Sequence, residues 1–330
     1  MKSLFAQVVG TGHYVPERVL TNDDLATMVE TSDEWIASRT GIRQRRIAAP
    51  DQPTSDMAIR AARAAVADAA IDPGEIDAIF LATATGDMVF PATACLVQNA
   101  IGASHAYGYD LSSACSGFLM GLETAVAAIE SGRAKTVLVI GAEKLSSITD
   151  WSSRDTCILF GDGAGAAVLR AAPSPGVLST HLGVDGSLGN LLSIPGGGSL
   201  HPASPQVLRD HLQFVHMAGR ETFKSAVNVM AETALRVVAD AGLTLDDIDL
   251  MIPHQANLRI IEAVARKLGG DLMPRVFLNL DRFGNTSAAS IPLALSDAVS
   301  QGRVKRGNRL LMVAFGGGLS WGGAVLEWTK

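Results

Sequence analysis

Three cysteines in 330 residues, at positions 95, 115 and 157, form no C-x-x-C pair and no even set. That excludes a disulfide framework and points to a reducing, cytoplasmic setting. Basic residues are outnumbered, 27 Lys and Arg against 33 Asp and Glu for a net charge of −6, so nucleic acid is not expected as the main partner. Charged residues make up only 18% of the chain. No apolar run approaches the roughly 18 residues a membrane-spanning helix needs. The N-terminal MKSLFAQVVGTGHYVP carries one Lys and no apolar stretch with a cleavage site, so neither a leader nor membrane attachment is expected. His201, His211 and His216 lack compact ligand spacing; they read as surface or packing residues, and no metal is expected.

What is abundant is apolar residue (48%) and glycine (33 residues), enough for one large core or two fused ones. Apolar runs such as AIFLATA (78–84), KTVLVIGAE (135–143) and NRLLMVAFGGG (308–318) alternate with Ala-rich amphipathic stretches such as 55–71 and 221–242. Alternation of this kind predicts an α/β fold. Two segments also echo each other: ARAAVADAAIDPGEIDAIF (62–80) and ALRVVADAGLTLDDIDLMI (234–252) align with Asp68 against Asp240. Helix, turn, acidic pair and buried strand recur together, which reads as a duplicated domain. The two halves are expected to meet in the turn-rich AAPSPG, giving units 1–174 and 175–330. The same offset sets Asn285, in GNTSAAS, against SSACSG around residue 113, so both are expected at equivalent strand-to-helix corners. Ligand sites in open α/β sheets favour such corners.

Cys115 lies among small residues in LSSACSGF, unlike Cys157, which sits in the apolar TCILF. At the start of a helix its thiolate would be stabilised by the dipole and free N–H groups; an inert packed cysteine is the competing reading. A partner base is needed, and His254, in the polar loop PHQAN after an apolar run, is the candidate. The triplet Gly316-Gly317-Gly318 lets bare backbone approach a ligand and offer N–H donors. GDGAGA (161–166) and GTG (10–12) lack the full dinucleotide-binding pattern, and a strand is expected to follow the former.

Together DLSSACSGF, PHQANLRI, DRFGNTSAAS and FGGGLSWG, with TSDEWIASRTGIRQRRI and FGDGAGAAVL, resemble β-ketoacyl-acyl carrier protein synthase III over the whole chain. The resemblance implies a duplicated thiolase-like fold, two homologous halves packed as α-β-α-β-α layers. It implies acylation of Cys115 by an acyl-coenzyme A, acetyl first among the candidates, then decarboxylative condensation with malonyl-acyl carrier protein. His254 and Asn285 would hold the malonyl thioester carbonyl, and the N–H groups of Cys115 and Gly317 would form an oxyanion hole. Thr31, Trp35, Arg39, Arg154 and Asn257 would bind coenzyme A, with Trp35 and Arg154 sandwiching the adenine. Met217, Gly219 and Phe223 would line the acyl pocket, and Phe90 would close it from the partner of a homodimer. Gln255, Ala256, Asn257, Leu258, Arg259, Lys224, Arg266 and Lys267 would meet the acidic carrier protein. Coenzyme A enters as a substrate thioester, and no cofactor is implied. Alternatives are a secondary-metabolism relative handling other acyl groups, a Cys-His thioester hydrolase, or a carrier-binding scaffold without chemistry.

Overall fold

The echo between the two halves reappears as repeated topology in a computed structural model, which describes residues 4–269 and 272–330. In the first half, β1 (Phe5–Tyr14), β2 (Ala78–Ala82), β3 (Tyr107–Leu111), β4 (Thr136–Glu143) and β5 (Gly163–Ala172) form a sheet in the order β1-β5-β4-β2-β3. In the second, β6 (Val177–Val184), β7 (Leu250–Pro253), β8 (Arg309–Gly316) and β9 (Ser320–Glu327) follow the order β7-β8-β9-β6. Each half thus contains a parallel pair, β2 with β4 or β7 with β8. Two antiparallel steps then return to the half's first strand. The 172-residue offset holds through turn and strand, Pro73–Glu75 against Leu245–Asp247 and Ala78 against Leu250. It fails at β3, where the second half has the short helix Leu280–Phe283 instead.

The strands read as unbroken apolar runs because helices cover both faces; every residue of β4 is buried. The helices are α1 (Asp33–Thr40), α2 (Thr54–Ala69), α3 (Gly117–Glu130), α4 (Gly219–Asp240), α5 (Leu258–Leu268) and α6 (Ser290–Ser300). Between the sheets lie α3 and α6, whose Phe118, Leu122, Ile291 and Leu295 share one core with Val139 of β4 and Met312 of β8. Burying each such large side chain contributes about 1.5–3 kcal/mol. On the outside, α2 covers the first sheet through Met57 and Ala61, while α4 and α5 cover the second through Met230 and Ile261. The layers are therefore α-β-α-β-α. GDGA leads into β5 rather than into a helix, so no helix N-terminus is offered to a dinucleotide there.

One contact between the halves matters for the site. A Cβ on Gly141 of β4 would stand 2.1 Å from the Ala288 carbonyl oxygen. Only glycine lets the 287–289 corner of the second half press directly onto the first sheet.

Candidate active site

Two corners face one another across the middle of the molecule. A 3₁₀ turn, Ala114–Ser116, joins β3 to α3, and an equivalent turn, Ser287–Ala289, leads into α6. Ala114 has φ +44° and Ser287 φ +48°, a left-handed conformation rare outside glycine and costly for a side chain. The two residues are 173 apart, so the register slips by one from the 172 of the outer elements. The counterpart of Asn285 is therefore Ser112, and the expected pairing with Ser113 is corrected by one residue.

The corners open on a cavity of about 870 Å³ whose wall includes Cys115, His254, Asn285, Ser287 and Gly317. Cys115 is half-buried at its floor. Enclosure by protein pushes its thiol up to about 12, against the expected helix-dipole stabilisation. The Cys115 residue belongs to the 3₁₀ turn before α3, and loss of water outweighs the partial charge of the helix end. His254 follows β7 and is 3% exposed, its backbone N–H donating to the Val313 carbonyl at 2.8 Å. Burial drives its imidazole down to about 3, so the ring is neutral at physiological pH. Its Nδ1 is buried without a partner. A buried orphan N–H is rarer than a buried orphan acceptor, so the proton belongs on Nε2, the nitrogen left to serve the cavity.

Asn285, 7% exposed, has its amide orientation settled by its neighbours: Oδ1 accepts the Ser287 N–H at 2.9 Å. The NH₂ group is left as a donor. Its backbone is clamped by Leu159 and Gly161, at 2.9 and 3.0 Å. The glycine run meets the nucleophile from the other side, since a Cβ on Gly316 would fall 2.7 Å from the Cys115 nitrogen. Ser320 Oγ donates to the Gly317 carbonyl at 2.9 Å and lies 2.6 Å from Ser116 Oγ, tying the glycine loop to the Cys115 turn. One neutral thiol, a neutral imidazole, the Asn285 amide and the Gly317 backbone thus line one space. That set suits acyl transfer and stabilisation of an enolate-like oxygen.

These features coincide with a known family. The description 3-oxoacyl-[acyl-carrier-protein] synthase III matches residues 109–186, and its C-terminal part matches residues 238–328. A β-ketoacyl-[acyl-carrier-protein] synthase III of Desulfitobacterium hafniense is 53% identical over 98% of both chains. The chain belongs to the 3-oxoacyl-[acyl-carrier-protein] synthase III family. It is accordingly an enzyme, a condensing acyltransferase of fatty-acid synthesis with a duplicated thiolase-like fold. Among solved structures, a 3-oxoacyl-[acyl-carrier-protein] synthase III from Aquifex aeolicus is 48% identical over 98% of this chain and 99% of its own, with a TM-score of 0.90. A priming β-ketosynthase of the R1128 polyketide pathway is 37% identical over 100% and 98%, with a TM-score of 0.93.

The remaining expected site residues of this synthase separate into groups. Met217, Gly219, Phe223, Arg39, Ala256, Asn257 and Arg259 line the cavity with the catalytic candidates. Asn257 also caps α5, accepting the Arg259 N–H at 2.9 Å. Arg154 lies 4.8 Å over the Trp35 ring centroid and holds the Glu30 carbonyl at 3.1 Å. An aromatic ring between two faces needs about twice the ~3.5 Å contact distance, so the guanidinium must swing aside before a sandwich can form. Thr31 keeps a buried hydroxyl without a partner.

One expectation needs correction. Gln255 is 1% exposed; its amide bonds the Pro253 and Phe277 carbonyls and the Asn279 N–H, so it braces the loop and cannot meet a carrier protein. Phe90, expected to close a partner's pocket rather than its own, stands 82% exposed, away from this chain's own cavity. Arg266 and Lys267 end α5 and pair with Glu262 and Glu232. Seven residues at 1.5 Å each place them about 10 Å along the axis from Arg259, not beside His254. Lys224 is exposed on α4, outside the cavity wall, and Leu258 packs against Gly41.

The sequence reading missed Glu143 and Ser287. Glu143 ends β4 wholly buried, and a carboxylate closing an otherwise apolar run, TVLVIGAE, was the available signal.

Proposed function

We propose that Cys115 takes an acyl group from an acyl-coenzyme A as a thioester, releasing coenzyme A. Malonyl-acyl carrier protein then enters, and loss of carbon dioxide leaves a carbanion that attacks the acyl-cysteine to give a 3-oxoacyl-carrier protein. His254 Nε2–H and the Asn285 amide hold the malonyl thioester oxygen where negative charge develops. The Cys115 and Gly317 N–H groups hold the oxygen of the acyl-cysteine during attack. Each fixed donor of this kind is worth about 3 kcal/mol. The observation that carries the reading is the convergence of Cys115, His254, Asn285 and Gly317 on one cavity wall.

Coenzyme A binds as substrate at the mouth, where Trp35, Arg39 and Asn257 line the wall. Arg259 is the carrier-docking cation, because it is exposed and lies on the cavity rim. The division into units 1–174 and 175–330 falls in the PSPG link between β5 and β6. A homodimer forms through β3, which edges its sheet, and through the exposed Val89 and Phe90, 96% and 82% accessible. No described helix is long and apolar enough to cross a membrane, in keeping with a cytoplasmic enzyme.

Intact-protein mass spectrometry tests the reading. Acetyl-coenzyme A should add one acetyl group at Cys115, and malonyl-acyl carrier protein should remove it as acetoacetyl-carrier forms. An adduct only with longer acyl groups keeps the chemistry and changes the primer, as in a secondary-metabolism relative. Adduct loss to water alone identifies a hydrolase, and no adduct with any donor overturns the reading.

A further inference from the structure

His254 and Asn285 serve one oxygen in the proposed condensation, yet they stand on separate loops. His254 directly follows β7, and Asn285 follows the short helix Leu280–Phe283. Their separation is therefore set by whatever both loops are fastened to. Behind them lies α6, along which every residue from Ser290 to Ala298 is buried. At its start, Ser290 Oγ accepts the backbone N–H of Gln255, the residue after His254, at 2.7 Å. About two turns later, Asp297 Oδ2 accepts from the Asn279 side-chain amide at 3.1 Å and from the Arg282 guanidinium. Asp297 Oδ1 accepts from the Gln301 amide at 2.8 Å. Both loops are thus tied to one rigid helix.

Asn279, 2% exposed, is the joint between these ties. Its backbone N–H donates to Gln255 Oε1 at 3.1 Å, on the His254 side. Its carbonyl accepts the Arg282 and Phe283 N–H groups at 3.1 and 3.2 Å, which starts the short helix that delivers Asn285. Asn285 is itself clamped to Leu159 and Gly161 of the first half, so the junction at Asn279 decides how the His254 loop meets that fixed donor. The bond to Asp297 places the junction on α6. Asp297 is 6% exposed, a costly position for a carboxylate. A buried ion pair is often no more stabilising than apolar side chains of the same volume. What the carboxylate supplies, and an apolar residue could not, is a fixed direction for Asn279 and Arg282.

We propose that Asn279, locked in place by Asp297, sets the spacing between His254 and Asn285 and is a positioning residue for the decarboxylative half-reaction. Neither Asn279 nor Asp297 lines the cavity, so both act through the donors and not on substrate. Their effect is confined to the step that uses His254 and Asn285 together. The Cys115 turn and the glycine loop are tied to each other separately, through Ser116 and Ser320, so acylation does not depend on the Asn279 joint. A misplacement of about 1 Å at a reacting centre can cost about a hundredfold in rate. The proposal rests on the acyl-transfer reading and extends it.

Wild type, Asn279→Leu, Asp297→Leu and the double variant are compared in each half-reaction and in thermal melting. Acylation is read by quenched intact mass after acetyl-coenzyme A, and condensation as carbon dioxide released from malonyl-acyl carrier protein by preformed acyl-enzyme. All three variants should acylate at close to the wild-type rate. Condensation should slow about ten- to a hundredfold, in kcat, with KM for the carrier protein kept. Each single change leaves a buried polar partner unpaired, whereas the double change removes both. The double variant should therefore regain melting temperature without regaining condensation. Condensation that recovers along with stability would make the pair merely structural, and so would equal slowing of both half-reactions. Full-rate condensation in the single variants would also overturn the proposal. If Asp297→Leu does not fold, Asn279→Leu and the double variant carry the same comparison. Failure of the acyl-transfer reading looks different: wild type would then form no adduct.

Discussion

The Cys115 corner and the Ser287 corner are built alike and do different work. Each uses one non-glycine residue in the left-handed region, and each opens a helix of the central layer. One presents a thiol at the turn. The other presents an amide donor two residues earlier and a hydroxyl at the turn itself. Duplication therefore preserved the backbone that aims atoms at the centre and left the side chains to divide the chemistry. The price of this symmetry is close contact, seen where Gly141 and Gly316 have no room for a Cβ.

The largest effect should come from breaking the first corner. Cys115→Ala should abolish the acyl adduct in intact mass while the variant still melts cooperatively; an adduct elsewhere would displace the nucleophile assignment. Breaking the second corner should spare acylation. Asn285→Ala should slow condensation of the preformed acyl-enzyme by about 10²–10³, read as carbon dioxide release, and an equal loss of acylation would show that the corners are not separable. The contact between them is tested by Gly141→Ala. Overpacking against the Ala288 carbonyl should cost about 1–3 kcal/mol, measured by denaturant unfolding, and an unchanged midpoint would refute the tight approach.

The pH dependence sharpens the comparison further. His254 is about 3 when folded and near 6.5 when unfolded, so between those values the unfolded chain binds a proton that the folded chain does not. Stability from this group is full above 6.5 and falls as pH drops towards 3. One unit below 6.5 the loss is about 1.4 kcal/mol, and His254→Gln should remove that part of the slope. Condensation should meanwhile show no imidazole limb between pH 5 and 8. The smallest effect is expected at the rim: Arg259→Glu should raise KM for carrier protein a few-fold with kcat kept and salt dependence reduced. Lys267→Ala should leave KM alone, because Lys267 is held by Glu232 and Asn228.

Local pattern made most of the fold legible. Apolar runs marked strands buried on both faces, and the repeat of helix, turn and strand revealed two matching halves, because those features depend on residues near one another in sequence. Cys115, His254, Asn285 and the glycine triplet were legible for a similar reason: each stands just past the end of a strand or short helix, where turn chemistry shows. Packing decided what lay beyond that range. Depth of burial, not helix position, sets the state of the Cys115 thiol and the His254 ring, and no local pattern reports depth. Gln255 looked like a loop residue and is a buried brace; Arg266 and Lys267 pair with neighbouring acids at the surface. Glu143 read as the end of a strand and is wholly buried, held by Thr83, Ala84 and Thr85. The sequence by itself determined the duplicated α/β plan and the chemical groups at its corners. Which of those groups are buried together, and so what charge each can carry, came only from the tertiary structure, because desolvation is a property of everything packed around an atom.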